Sequence, residues 1–230
     1  MGGVRRGDRW VTSDGSGDGG VEALSRHPLI QRFEQALAAR PGVALDVPDQ
    51  TRRAAILLAL RARTDGEPEL LMIKRAEFDG DPWSGHIACP GGRMERGDLN
   101  LADTAIRETR EETGVDARRD GRILGHLDDL RPRSPFLPPI VIRPYVALVR
   151  ADAIVSPSPE VASAFWVPVS DLGASGSWGL GAVSVRGVER RVSVFQHGEH
   201  TVWGLTERAL RQFLDYVGLA PPGESVDETS

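Results

Sequence analysis

GGRMERGDLNLADTAIRETREETGV, running from Gly91 to Val115, is the stretch on which the reading of this chain turns. Its second half predicts a helix from Leu101 to Thr113, closed by Gly114, a residue suited to the left-handed cap of a helix. At about 100° per residue, Glu111 lies about 60° to one side of Glu108 and Glu112 about 40° to the other, so three carboxylates share one face. Ala102, Ala105, Ile106, Thr109 and Thr113 fill the adjoining arc and can pack on a sheet. A solvated acidic face is the plain interpretation, because exposed like charges at these spacings cost only roughly 0.2–0.5 kcal/mol per pair. Partial shielding raises the repulsion to about 4 kcal/mol per pair at close approach, and a divalent cation relieves it. Hard oxygen donors of this kind suit Mg²⁺ or Mn²⁺. The flanking residues favour the cation. Gly91-Gly92 lets the backbone turn close beside the helix and offers a carbonyl as a further ligand. Arg107 is placed to hold a carboxylate at two points.

Outward from this stretch, two strands precede it. Ala54 to Arg63 reads as a buried strand, Thr64 to Pro68 carries turn chemistry, and Glu69 to Arg75 completes a hairpin. Ala76 to Pro90 reads as irregular. Further upstream, Leu29, Ile30, Phe33, Leu37 and Ala38 recur at helical spacing, predicting one helix from Leu24 to Arg40 that packs on the domain or serves a homodimer contact. Downstream, strands are expected over Arg122–Leu130, Ile140–Arg150 and Phe165–Pro168, with a hairpin over Val188–Phe195 and His200–Val202. A last amphipathic helix spans Thr206 to Val217. Hairpins with helices between them imply an α+β layered fold. Residues 1–20, rich in glycine, and the polar tail from 219 to 230 read as disordered, leaving a domain over 21–218.

Composition sets limits on function. Hydrophobic residues are 40% and charged residues 27%, the balance of an ordinary globular protein. A net charge of -5 argues against sequence-independent nucleic-acid binding, which needs a basic surface. The longest apolar run, Ala54 to Leu60, is far short of the roughly 20 residues that span a membrane. The chain has one cysteine, Cys89, so no internal disulfide forms and a reducing, cytoplasmic setting is expected.

With these residues in place, the chain resembles the Nudix hydrolase family, whose signature is G-x5-E-x7-R-E-U-x-E-E-x-G-U, with U a bulky apolar residue. RETREETGV, from Arg107 to Val115, matches except for Thr109 at a U position. In the first half, Gly92 is followed after five residues by Asp98 in place of glutamate, and eight residues separate Asp98 from Arg107. This variant is similar to the coenzyme A pyrophosphatase branch. The resemblance implies a Nudix-type α/β/α sandwich with a central mixed sheet. It also implies metal-dependent hydrolysis of a diphosphate linkage in a nucleoside diphosphate derivative.

Carried over position by position, the resemblance makes Glu108, Glu111, Glu112 and the Gly92 carbonyl ligands of Mg²⁺ or Mn²⁺. Asp98 matches the first acid approximately, and Arg107 matches the arginine that braces the glutamates. The proton of the attacking water goes to Glu111 or to Glu160. Glu160 belongs to SPEVASAFWVP (Ser158 to Pro168), similar to a segment that many Nudix proteins carry after the box; taken alone it reads as a helix-start charge.

The branch also resembles this chain over Leu70 to Gly92, LLMIKRAEFDGDPWSGHIACPGG, at Arg75, Gly85, Pro90, Gly91 and Gly92. Coenzyme A or an acyl derivative is the leading substrate, cut to 3′,5′-ADP and 4′-phosphopantetheine. A nucleoside diphosphate sugar, a dinucleotide or a nucleoside triphosphate is the alternative, and a non-catalytic nucleotide-binding Nudix module is a third reading. Arg75, Trp83, His86, Arg131 and Arg133 are the candidate substrate contacts, the last two in a loop stiffened by prolines. Each also has a plain reading as loop anchor or solvated charge. Trp166 and Trp203 read as core. Cys89 reads as a small buried residue rather than a nucleophile.

Overall fold

The unbroken apolar run Ala-Ala-Ile-Leu-Leu-Ala-Leu, residues 54–60, gives β1 (Arg52–Ala62) two apolar faces. Leu58 and Leu60 point into one hydrophobic cluster, and Ala55, Leu57 and Ala59 into another. A strand buried on both faces belongs at the centre of a sheet covered on both sides, and β1 sits there in this computed structural model, which describes residues 19–78, 84–132, 139–185 and 187–219.

β1 forms the predicted hairpin with β2 (Pro68–Arg75). Along its first half the short β4 (Gly91–Arg93) pairs with it antiparallel instead, and β6 (Ile140–Val149) pairs with it parallel from Arg52 to Leu60. β5 (Gly121–His126) pairs antiparallel with β6. β2 carries the two-residue β3 (Ile87–Ala88) at its end and β7 (Val161–Pro168) along its outer side. The result is a seven-stranded mixed sheet. A separate antiparallel meander, β8 (Trp178–Val185), β9 (Val188–His197) and β10 (His200–Trp203), forms a second sheet of three strands.

Helices cover both faces, as expected of an α/β/α sandwich. On one side lie α1 (Gly19–Ser25), α2 (Pro28–Ala39) and α5 (Gly204–Tyr216), which bury Leu24, Ile30, Phe33, Leu210, Phe213 and Leu214 with Phe195 and Val202 of the second sheet. On the other lies α3 (Leu101–Thr113), with Ala102, Ala105 and Ile106 against Ala55, Ala59 and Ala147. Small residues on both partners bring helix and sheet close. The threonines of α3 are buried without cost to their hydroxyls: Thr109 donates to the Ala105 carbonyl at 2.7 Å and Thr113 to that of Thr109 at 2.6 Å. Threonine therefore fills the apolar position of the signature.

Several expectations are corrected. The helix expected over Leu24–Arg40 is two, because Pro28 lacks an amide N–H and forces His27 into extended backbone. The His27 ring then accepts from the Leu29 amide and caps α2. Both helices pack on the domain. β3 runs through a segment read as irregular, and β7 begins at Val161 rather than Phe165. β8 and the short helix α4 (Val169–Leu172) were not legible. Gly179 and Gly181 erase the alternation in β8, yet a side chain at Gly181 would come within 2.9 Å of Val194 Cγ1 on the neighbouring strand. Of the termini expected to be disordered, residues 1–18 and 220–230 lie outside the described residues, and α1 begins at Gly19, within the segment 1–20.

Candidate active site

The two glycines before α3 are dictated by what surrounds them. Gly91 has φ +153°, and a Cβ there would sit 2.3 Å from the Ala55 carbonyl oxygen of β1. A Cβ on Gly92 would fall 2.4–2.6 Å from the carboxyl atoms of Glu108. Only hydrogen fits between this backbone and the helix. The Gly91 amide donates to Glu112 Oε2 at 2.8 Å, so the strand also fixes one acid of the cluster.

From Met94 to Asn100 the chain turns back on itself. The Glu95 amide donates to Asp98 Oδ2 at 2.9 Å, and Asn100 caps α3 by accepting from the Asp103 amide at 3.0 Å. Asp98, its side chain 5% exposed, therefore faces the helix. It accepts from Thr104 Oγ1 at 2.9 Å and from Arg107 at both oxygens. The Arg107 guanidinium continues outward, with Nη1 3.0 Å from Glu108 Oε1 and 3.0 Å from Glu111 Oε2, and Nη2 donating to the Arg93 carbonyl at 2.9 Å. One arginine thus joins Asp98, Glu108, Glu111 and the strand beside Gly92. These contacts hold the Asp98 carboxyl down to about 2, Arg107 being the main cause, and push the Arg107 guanidinium above its ordinary value. Asp98 was expected among the metal ligands; its oxygens face Arg107, Thr104 and the Glu95 amide instead.

Glu112 is 4% exposed. Burial pushes its carboxyl up to about 7 against the downward pull of the Gly91 amide and of the Arg75 guanidinium, 3.8 Å away, and Glu108 and Glu160 add smaller upward contributions. Burial likewise raises Glu108. Glu111 is the outermost of the three, its side chain 52% exposed. Among the described residues no three acids or imidazoles converge on one point, since Arg107 holds Glu108 and Glu111. The donor set nonetheless fits a hard divalent cation. It consists of carboxylate oxygens crowded at the cost of a raised pKa, with a backbone approach that a single methyl group would fill.

Glu160, remote in sequence, is carried to this cluster by backbone contacts. The Ser156 and Ser158 amides donate to the carbonyls of Thr113 and Glu112, and the Glu160 carbonyl accepts from the Ala76 amide at 2.8 Å. Glu160 stands in a turn ahead of β7, so the helix-start interpretation is corrected. Arg75 and His86 are joined by a bond from the Arg75 amide to the His86 carbonyl at 3.0 Å. His86 packs on Trp203, ring centroids 4.6 Å apart, so Trp203 is half-buried at the edge of the site rather than in the core. Nothing local in the sequence marked this neighbour. Trp166, also half-buried, lies under the Arg61 guanidinium at 3.9 Å. Arg131 is exposed, and its carbonyl accepts from Arg208 of α5. Across the sheet, Leu130, Ile142, Ala54 and Arg93 stand in register, which puts Leu130 three strand spacings, about 14 Å, from Arg93. Trp83 and Arg133 lie outside the described residues. Cys89 is buried, its thiol pushed up to about 12, which removes it as a nucleophile.

Residues 50–183 match the NUDIX domain family. The chain is 29% identical over 195 residues to the uncharacterized Nudix hydrolase NudL of Photorhabdus laumondii, covering 84% of this chain and 98% of that protein. It is 30% identical over 169 residues to NudL of Yersinia pestis, covering 73% of this chain and 81% of the relative. Among solved structures, a MutT/nudix family protein from Enterococcus faecalis superposes with a TM-score of 0.50 at 18% identity, over 86% of this chain and 72% of that one. That likeness concerns the fold.

Proposed function

The chain belongs to the NUDIX domain family and is a Nudix hydrolase acting on nucleotide derivatives, and on that premise we propose that it cuts the diphosphate of coenzyme A or of an acyl derivative. The products are 3′,5′-ADP and 4′-phosphopantetheine. One observation carries the hydrolytic reading: Arg107 ties Asp98, Glu108 and Glu111 into a single frame against which Gly92 closes without a side chain. The substrate rests on the eight-residue spacing from Asp98 to Arg107 and on the Leu70–Gly92 segment, both similar to the coenzyme A branch.

In this reading Glu108, Glu111, Glu112 and the Gly92 carbonyl hold Mg²⁺ or Mn²⁺. When bound, the cation neutralises diphosphate oxygens and acidifies the attacking water. The protein's own residues do the rest. Arg107 holds Glu108 and Glu111 in place, the Gly91 amide holds Glu112, and Asp98 fixes Arg107. Arg75 adds positive charge beside Glu112, where an anionic substrate needs it. Water attacks one phosphorus in line and the other phosphate leaves. Its proton passes to a carboxylate, Glu111 or Glu160, both open to solvent at the edge of the cluster.

The test is a hydrolysis screen with Mg²⁺ or Mn²⁺ over coenzyme A, acetyl coenzyme A, ADP-ribose, NADH, a dinucleoside polyphosphate and nucleoside triphosphates, with products resolved by mass. Metal-dependent release of 3′,5′-ADP and 4′-phosphopantetheine supports the proposal. Preference for another member of the panel keeps the chemistry and replaces the substrate.

A further inference from the structure

Trp203 and His86 pack ring on ring, at 4.6 Å between centroids and 58° between planes, yet neither belongs to the two hydrophobic clusters that make up the core. Alternation along β10 explains this for Trp203. Val202 is buried with Phe195 in the core, so its neighbour is turned out of that cluster. Trp203 is half-buried, and it stands where β10 ends and α5 begins. The second sheet therefore delivers a large aromatic ring to the edge of the principal one.

Its location is what matters. The His86 carbonyl accepts from the Arg75 amide, and the Arg75 guanidinium lies 3.8 Å from Glu112. One strand spacing, about 4.8 Å, and one arginine side chain separate the ring pair from the carboxylate cluster. That is the reach of a single nucleoside diphosphate with its phosphates at the glutamates. A flat, partly exposed ring at such a distance suits an aromatic base, because stacking on an indole is indifferent to which base is presented and strong enough to hold one.

We propose that Trp203, supported by His86, is the specificity-determining residue that stacks on the base of the substrate, so that the appended three-stranded sheet forms one wall of the nucleotide pocket. This rests on the reading of the chain as a nucleotide diphosphate hydrolase, but it is independent of which member of that class is cut. A base-bearing substrate is selected over a base-free diphosphate through Trp203, while the glutamates and Arg107 act on the diphosphate alike in both.

The test compares wild type, Trp203→Leu and Trp203→Phe. With the best base-bearing substrate of the screen, Trp203→Leu raises KM about 10-fold and changes kcat less than about twofold, whereas Trp203→Phe stays within about threefold of wild type in both. A second measurement needs no turnover: fluorescence titration with 1,N6-ethenoadenosine 5′-monophosphate, whose affinity falls about 10-fold in Trp203→Leu and is restored in Trp203→Phe. Unchanged KM and unchanged affinity in Trp203→Leu overturn the proposal. So does a fall in kcat together with melting temperature that phenylalanine fails to rescue, which marks a structural anchor, and so does failure of the wild type to bind the fluorescent nucleotide. Absence of hydrolysis across the screen, with ethenoadenosine binding intact, strikes the proposed activity and leaves the stacking role standing.

Discussion

Asp98 and Arg107 meet as a two-point ion pair, Oδ1 to Nε at 2.9 Å and Oδ2 to Nη2 at 3.0 Å. The same guanidinium reaches Glu108 and Glu111, so the pair sets where two of the three glutamates stand. Asp98→Asn removes one charge and one of the two matched contacts. We expect turnover to fall about 10-fold and stability by about 2 kcal/mol, since a half-buried guanidinium loses its best charge-assisted contact. The Asp98 carboxyl sits at about 2 against a usual 3.8, so its stabilisation is complete above 3.8 and is lost as pH falls toward 2. Thermal unfolding from pH 2 to 5 checks this: wild type should lose stability over that window, and Asp98→Asn should lose less.

The Glu112 carboxyl is displaced the other way, from 4.5 up to about 7. Burial favours its neutral form, so this group makes the metal-free fold progressively less stable as pH rises from 4.5 to about 7. Glu112→Gln should therefore stabilise the metal-free protein at pH 8, by on the order of 2 kcal/mol, and make little difference at pH 4.5. Mn²⁺ should reverse the order at pH 8 by stabilising wild type and not the variant. Calorimetric scans at the two pH values, with and without Mn²⁺, decide it. A variant less stable than wild type in metal-free buffer at pH 8 would contradict the raised carboxyl.

Gly92→Ala places a methyl group within 2.6 Å of the Glu108 carboxyl. The obstacle is the end of a side chain, which can move, so the fold survives while Glu108 is displaced. Activity should drop about 100-fold or more with a melting temperature within a few degrees of wild type. Full activity in this variant would show that Glu108 need not occupy its present position.

Glu111→Gln and Glu112→Gln should each lower turnover about 100-fold or more without unfolding the protein, as each removes a charge proposed to hold the cation. Glu160→Gln separates the two candidate bases. If Glu160 takes the proton, kcat falls about 100-fold while Mn²⁺ affinity is unchanged. If turnover survives, the role passes to Glu111. Rates and Mn²⁺ titrations on the same preparations distinguish loss of a base from loss of a ligand.

The N-terminal helices are part of the domain. Phe33 is fully buried, its ring 5.7 Å from both Phe213 and Tyr216 of α5. Phe33→Ala should cost about 3–5 kcal/mol. Chemical denaturation measures it, and a cost below about 1 kcal/mol would mean that α2 is dispensable to the core.

Sequence by itself determined whatever depends on neighbours in the chain. The helix from Leu101 to Thr113, its glycine cap and the single face shared by Glu108, Glu111 and Glu112 follow from helical periodicity, which acts over three or four residues. The β1–β2 and β9–β10 hairpins follow in the same way from turn chemistry between apolar runs. Tertiary structure decided the rest. That Asp98 turns to Arg107 depends on how the loop from Met94 to Asn100 folds over the start of α3. That Glu160 stands beside Glu112 depends on two amides docking on the end of that helix. That Trp203 meets His86 depends on a second sheet whose first strand is concealed by its glycines. These meetings join residues far apart in the chain through packing and backbone hydrogen bonds, and local propensity has no access to either.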